Sequence, residues 1–139
     1  MTDHHRHLEQ MYHTAPCNQS LSPALVVSEG AATVRMLARP ELHHAGGAVH
    51  GSFCFKLLDD AAYFAANSVV EDVLVLTASF QINLLGMVVN GELRAEGTLI
   101  RSGRTLIFAE SKLYDEKGRL IATGSGTFAR SRIPLSSIS

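Results

Sequence analysis

The chain has 139 residues, enough for one domain with a real core, and 46% of them are apolar. Its 12 basic and 13 acidic side chains leave a formal charge of −1, which argues against nucleic acid or an anionic membrane as the main partner. Two cysteines, Cys17 and Cys54, are no disulfide framework, and no apolar run approaches a signal core or a membrane span, so a cytoplasmic location is the expectation.

In chain order, residues 4–14 read as a short helix that docks through Leu8 and Met11 or Tyr12. His4, His5 and His7 read as a solvated terminal cluster rather than a metal site. Pro16 and Pro23 punctuate a connection, so residues 1–20 form an N-terminal extension to a single domain over 21–132. Leu25–Val27 and Ala31–Leu37 read either as two strands that turn at Glu29-Gly30 or as one strand continued through a bulge. Residues 41–51 are a loop by composition. A long apolar helix follows over about 52–69, with Ser52 as its N-cap. Its spacing gathers Lys56, Asp60, Tyr63 and Asn67 on one side and Phe55, Leu58, Ala62 and Ala65 on the other.

The remainder is β in pattern. Val73–Leu84, Glu92–Arg101, Thr105–Tyr114 and Leu120–Arg130 are four strands, separated by turns at Asn90-Gly91, Ser102-Gly103-Arg104 and Asp115–Gly118. The short turns predict an antiparallel meander. The Ser-rich tail 133–139 is expected to be loose. One apolar helix must bury most of its circumference, and a curved sheet wrapped around it does this with few elements.

Chemistry concentrates where the loop meets the helix. His43, His44, Gly46, Gly47 and His50 lead into Gly51-Ser52, and two turns into the helix stand Asp59 and Asp60. A helix N-terminus presents unpaired amides and partial positive charge, which favour an anion. A carboxylate in a mostly apolar helix is costly unless it is used. Asp59 has Phe55, Ala62 and Tyr63 as helical neighbours, a setting that raises its pKa and makes it a usable base. Asp60 has Lys56 four residues before it and reads as its ion-pair partner. His43, His44 and His50 lack a suitably spaced carboxylate or thiol, so no metal centre is expected.

The order of elements and the segment His44-Ala45-Gly46-Gly47-Ala48-Val49-His50-Gly51-Ser52-Phe53-Cys54-Phe55-Lys56-Leu57-Leu58-Asp59 resemble the hotdog-fold acyl-CoA thioesterase superfamily, in the branch of the phenylacetyl-pathway thioesterases. The branch pattern Asn-x-x-G-x-x-H-G-G-x-x-(F/A)-x-L-x-D is matched at Gly47, His50, Gly51, Leu57 and Asp59, with the Gly103-Arg104-Thr105 turn and the Asp115–Ala122 strand motif following. Two positions depart from it: His44 stands where the family has Asn, and Ser52 where it has a second Gly. The resemblance implies an α+β hotdog fold, a curved antiparallel sheet around the central helix, working as a homodimer or homotetramer with sites between protomers.

It also implies an enzyme that hydrolyses an acyl-CoA thioester, with no cofactor. Asp59 would be general base or nucleophile, and the Gly51 amide would hold the thioester oxygen. His50 and His44 would stand beside it, and Thr77 would hold the water. Gly47 and Ser52 would border the substrate, and Arg101 and Arg104 would meet the CoA phosphates. Two other functions compete on the same fold: a non-catalytic acyl-CoA binder, and a hydratase or dehydratase that uses His50 and Asp59.

Overall fold

The structure, a computed structural model, describes residues 2–139. Helix α1 (Asp3–Thr14) starts at Thr2, whose hydroxyl accepts the His5 amide at 3.2 Å. Strands β1 (Ala24–Ser28) and β2 (Ala31–Ala38) form a hairpin, and α2 (Gly51–Asn67) follows the glycine-rich loop. Strands β3 (Val73–Leu84), β4 (Gly91–Ser102), β5 (Leu106–Tyr114) and β6 (Leu120–Pro134) complete one antiparallel sheet in the order β1-β2-β4-β5-β6-β3.

That order corrects the expected meander of four strands. Short turns join β4 to β5 and β5 to β6, and those strands are neighbours. β3 instead pairs with β6, with Leu84 opposite Ala122 and Thr77 opposite Phe128. The chain leaves α2 beside that edge, and the extended connection over residues 85–90 carries it across to β4.

The sheet closes over α2 at backbone distance. Ala61, Ala62 and Ala65 are fully buried, and a Cβ on Gly97 of β4 would lie only 2.1 Å from the Ala61 carbonyl oxygen. No side chain larger than hydrogen fits there, so Gly97 sets how closely helix and sheet approach. Leu57, Leu58, Leu93, Leu113 and Phe128 fill the remaining space. Phe55, expected on the buried side, is instead 38% exposed and rests its ring edge-on against Phe80, 5.4 Å away. Asn67, expected on the polar side, is fully buried. Its amide nitrogen donates to the Val70 and Val73 carbonyls, and its oxygen accepts the Val75 amide, which locks the passage from α2 into β3.

Both ends of the chain are tied down. His5 is buried and bonds the Ser68 carbonyl, His4 the Asn67 carbonyl and His7 the Ile138 carbonyl, so the terminal histidines fasten α1 to the end of α2 and to the C-terminal segment rather than standing in solvent. The segment 133–139 is not loose either: β6 runs to Pro134, a 3-10 turn covers Leu135–Ser137, and Leu135 is buried with its amide on the Asp72 carbonyl.

The two edges of the sheet differ. At β1, the outward amides of Leu25 and Val27 donate to His13 Nε2 at 2.9 Å and Glu9 Oε2 at 2.7 Å, so α1 closes that edge. At β3, Leu76, Thr77, Ala78 and Ser79 are exposed, and no strand pairs with the outer edge among the described residues.

Candidate functional site

The glycine-rich loop is folded back on itself before α2 begins. His43 bridges to Val49, and the His44 amide donates to the Ala48 carbonyl at 2.9 Å. Gly47 has φ +84°, a conformation that favours glycine. His44 Nδ1 accepts the Gly46 amide at 2.9 Å, which leaves the neutral ring's proton on Nε2.

His50, not Ser52, is the N-cap of α2. Its Nδ1 accepts the Ser52 amide at 3.0 Å and lies 2.8 Å from the Ser52 hydroxyl. An imidazole nitrogen one bond beyond Cγ reaches the second helical amide, so it displaces Ser52 into the first turn. The same bond places the neutral His50 proton on Nε2. The Gly51 amide meets no acceptor among the described residues and lies at the positive end of the helix dipole. Gly51, His44, Val49, Cys54, Leu84, Leu85 and Met87 line a cleft of about 400 Å³.

Asp59 opens onto a second cleft, of about 380 Å³, bordered by Lys56, Tyr63, Phe64, Leu74, Leu76 and Thr77. The Thr77 hydroxyl donates to Asp59 Oδ1 at 3.0 Å across the gap between helix and edge strand. Burial pushes the Asp59 carboxyl up to about 6, against the Thr77 hydrogen bond, which lowers it; the Asp60 charge adds to the rise and Lys56 opposes it. A carboxylate at that value is mostly ionised at neutral pH and still basic enough to take a proton from water in a transition state. Burial, then the charges of Asp59 and Asp60, raise the Tyr63 phenol, which stays protonated.

Asp60 has a separate task. Its Oδ2 accepts from Lys56 Nζ at 2.9 Å and from the Tyr12 hydroxyl at 2.7 Å. It therefore binds α1 to α2 and has no free lone-pair direction on that oxygen for chemistry. The contribution of Met11, Tyr12 and Ala15 to the Asp59 cleft is new information from the structure. The pattern Leu8, Met11, Tyr12 signals that α1 docks, but nothing in the sequence says where.

Gly51 and Asp59 are eight residues apart on one helix, which separates them by about 12 Å along its axis. The structure brings His44, His50, Gly51 and Ser52 together at one end and Asp59 with Thr77 further along. Gly47 sits in the loop near the first group. Arg101 and Arg104 line neither cleft; they flank the β4–β5 turn, where Arg130 Nη1 donates to the Gly103 and Arg104 carbonyls at 2.8 Å each. Among the described residues, no group of three or more His, Cys, Asp or Glu side chains is placed to hold a metal ion, and no helix is long and apolar enough to cross a membrane.

With this geometry in hand, comparison with known proteins decides the family. A thioesterase superfamily model matches residues 46–122, more than half of the chain. The chain belongs to the thioesterase superfamily. The match runs from the glycine-rich loop through α2 and β3 to the start of β6, and so contains the lining of the two clefts except His44 and the residues of α1 and the turn after it. A Saccharolobus solfataricus protein provisionally named an esterase is 28% identical over 102 residues, 73% of each chain. The Escherichia coli PaaI protein from the phenylacetic acid degradation operon superposes with a TM-score of 0.84 at 20% identity, covering 93% of this chain and 94% of that one. A Haemophilus influenzae thioesterase gives a TM-score of 0.82 at 19% identity, covering 93% and 91%. The fold is the hotdog fold of these thioesterases, and the superfamily's general chemistry is thioester hydrolysis.

Proposed function

We propose that this chain is an acyl-CoA thioesterase whose active site forms between two copies of it. The observation that carries the proposal is the separation of Gly51 from Asp59. A reacting carbonyl must lie about 3 Å from the oxyanion donor and within reach of the base, and one chain keeps these groups about 12 Å apart. A partner removes the separation. Asp59 meets β3 at Thr77, and Gly51 meets β3 at Leu84, whose Cδ1 would stand 2.9 Å from a Cβ on Gly51. If two β3 edges pair antiparallel about a two-fold axis between Phe80 and Gln81, Thr77 lies opposite Leu84 of the partner subunit. The base of one protomer then faces the helix start of the other. The asymmetry of the edges supports this pairing, since α1 closes β1 and leaves β3 open.

In such a site the acyl-CoA carbonyl oxygen takes the Gly51 amide, helped by the Nε2–H of His44 or His50. Asp59, oriented by Thr77, accepts a proton from the attacking water. The tetrahedral intermediate collapses with loss of the CoA thiolate, which takes the proton back, giving a carboxylic acid and free CoA. His44 serves in place of an asparagine amide because its Nδ1 is occupied by Gly46, so Nε2–H is the group it can present. Gly47, free of a Cβ, and the small Ser52 leave room at the loop, and Arg101 and Arg104, outside both clefts of one chain, would meet the CoA phosphates only where the cofactor arm extends to the β4–β5 turn.

The test is thiol release from a panel of acyl-CoA thioesters. Wild-type turnover with a loss of at least a thousandfold in Asp59→Asn supports the reading. Binding of acyl-CoA without turnover in the wild type would make the chain a binder instead, and enoyl-CoA hydration without thiol release would make it a hydratase.

A further inference from the structure

The Asp59 cleft has an inner end built by residues that precede the stretch matched by the family model. The matched region begins at residue 46, yet Met11, Ala15 and Cys17 line the cleft opposite Thr77. α1 reaches this place because several independent contacts fix it there. The Tyr12 hydroxyl bonds Asp60 at 2.7 Å, Lys56 Nζ sits 5.6 Å from the centre of the Tyr12 ring, and that ring packs edge-on against Phe64 at 5.3 Å. Asn18, itself buried, donates to the Tyr12 carbonyl at 2.8 Å and holds the chain as it leaves the helix. Tyr12 is 4% exposed, so it acts as an anchor, whereas Met11 and Ala15 are half-buried and face the cleft.

The two arms of a thioester have opposite needs. CoA is polar and carries phosphates, so it must leave the site towards solvent. The acyl group is apolar and gains from burial. From Asp59 and Thr77 the cleft continues between Leu74, Phe64 and the N-terminal residues, and its accessible lining is predominantly apolar. This is the direction an acyl group would take.

We propose that α1 is the end wall of the acyl pocket, with Met11 and Ala15 setting the longest acyl chain accepted and the Tyr12–Asp60 bond holding the wall in position. The inference rests on the thioesterase reading and extends it: the substrate class is an apolar acyl thioester of bounded length, and the bound comes from the N-terminal extension. Ala15 is small and lies at the end of α1, so a larger side chain there shortens the pocket. Met11 is long, so its truncation deepens it. One methylene in an apolar pocket is worth roughly 10- to 200-fold in discrimination, so the effect is readily measured.

The experiment measures kcat/KM for saturated acyl-CoAs from acetyl to dodecanoyl in wild type, Ala15→Leu and Met11→Ala. The same variants are titrated calorimetrically with the matching free fatty acids. Ala15→Leu is expected to lower the ratio of the longest accepted chain to acetyl by at least tenfold. Met11→Ala is expected to move the cut-off to longer chains by about two methylenes. Ratios and cut-off that stay at wild-type values in both variants overturn the proposal while leaving the thioesterase reading intact. If the wild type hydrolyses neither this series nor an aryl-acyl-CoA assayed beside it, the thioesterase reading fails. The fatty-acid dissociation constants then decide the wall separately: a shifted length profile supports it and an unshifted one overturns it.

Discussion

Thr77 Oγ1 stands 3.0 Å from Asp59 Oδ1, so one hydrogen bond joins the open edge strand to the carboxylate of the central helix. The donor sits on the element proposed to meet the partner, and the acceptor is the group proposed to meet the water. Any disturbance of that edge therefore reaches the base.

Thr77→Val keeps the shape and removes the donor. The Thr77 bond lowers the Asp59 pKa, so its loss moves the acid limb of the kcat/KM profile above about 6. At pH 7 a smaller fraction of Asp59 is ionised and its orientation is less well fixed, which together predict a loss of about tenfold in kcat/KM. The pH–rate profile of the variant checks this, and a limb that stays in place would show that Thr77 does not govern the ionisation.

Asp59 also affects stability, with a definite sign. Its folded pKa of about 6 lies above the ordinary carboxylate value, so the folded chain holds the proton more tightly than the unfolded one. That contribution is fully present below about pH 4 and is lost as pH rises through about 6. Asp59→Asn therefore melts higher than wild type at pH 8, by on the order of 1 kcal/mol after allowance for solvent, and the difference shrinks as pH falls towards 4. Thermal unfolding across that range reads it directly.

Gly97→Ala inserts a Cβ where the Ala61 carbonyl oxygen stands 2.1 Å away. Backbone cannot step aside as a flexible side-chain tip can, so the helix must lift from the sheet. A loss of at least about 3 kcal/mol is expected in urea unfolding, far above the cost of the same change at an open turn.

Glu9→Ala leaves the Val27 amide of β1 without its acceptor and opens part of the closed edge. About 1–2 kcal/mol of stability is expected to be lost. The exposed strand also favours concentration-dependent association beyond the native oligomer, which light scattering would detect.

Much of the fold was readable because its signals are local. The span Val73–Leu84 is rich in β-branched and apolar residues, and hairpin turns mark both ends of the strand Leu106–Tyr114. The place of β3 in the sheet was not readable, because a long extended connection does not dictate which strand lies beside it. Asn67 misled for a related reason. Helical spacing put it with Lys56 and Asp60, but its three hydrogen bonds are to a turn and strand that follow it, and only the folded chain brings them there. At the candidate site, the motif spacing singled out Gly51 and Asp59, which the structure places on two separate clefts, and the lysine four residues before Asp60 exposed its ion pair. The motif said nothing of α1: Tyr12 approaches Asp60 through tertiary docking, and a single helix pattern does not specify its groove. His50 was placed correctly on the loop, but its capping role needed the ring orientation that brings Nδ1 to the Ser52 amide.

The claim that Asp59 and Gly51 of different protomers share a site is tested most directly by mixing two inactive variants. Asp59→Asn lacks the base. Gly51→Pro lacks the oxyanion amide at a first helical position that tolerates proline. Unfolded together and refolded at equal concentration, the two chains form about half mixed dimers by random pairing, and each mixed dimer holds one site with Asp59 from one chain and Gly51 from the other. The account predicts recovery of about a quarter of wild-type activity. If both groups act within one chain, every site in the mixture lacks one of them. Activity that stays at the level of the separate variants would contradict the account.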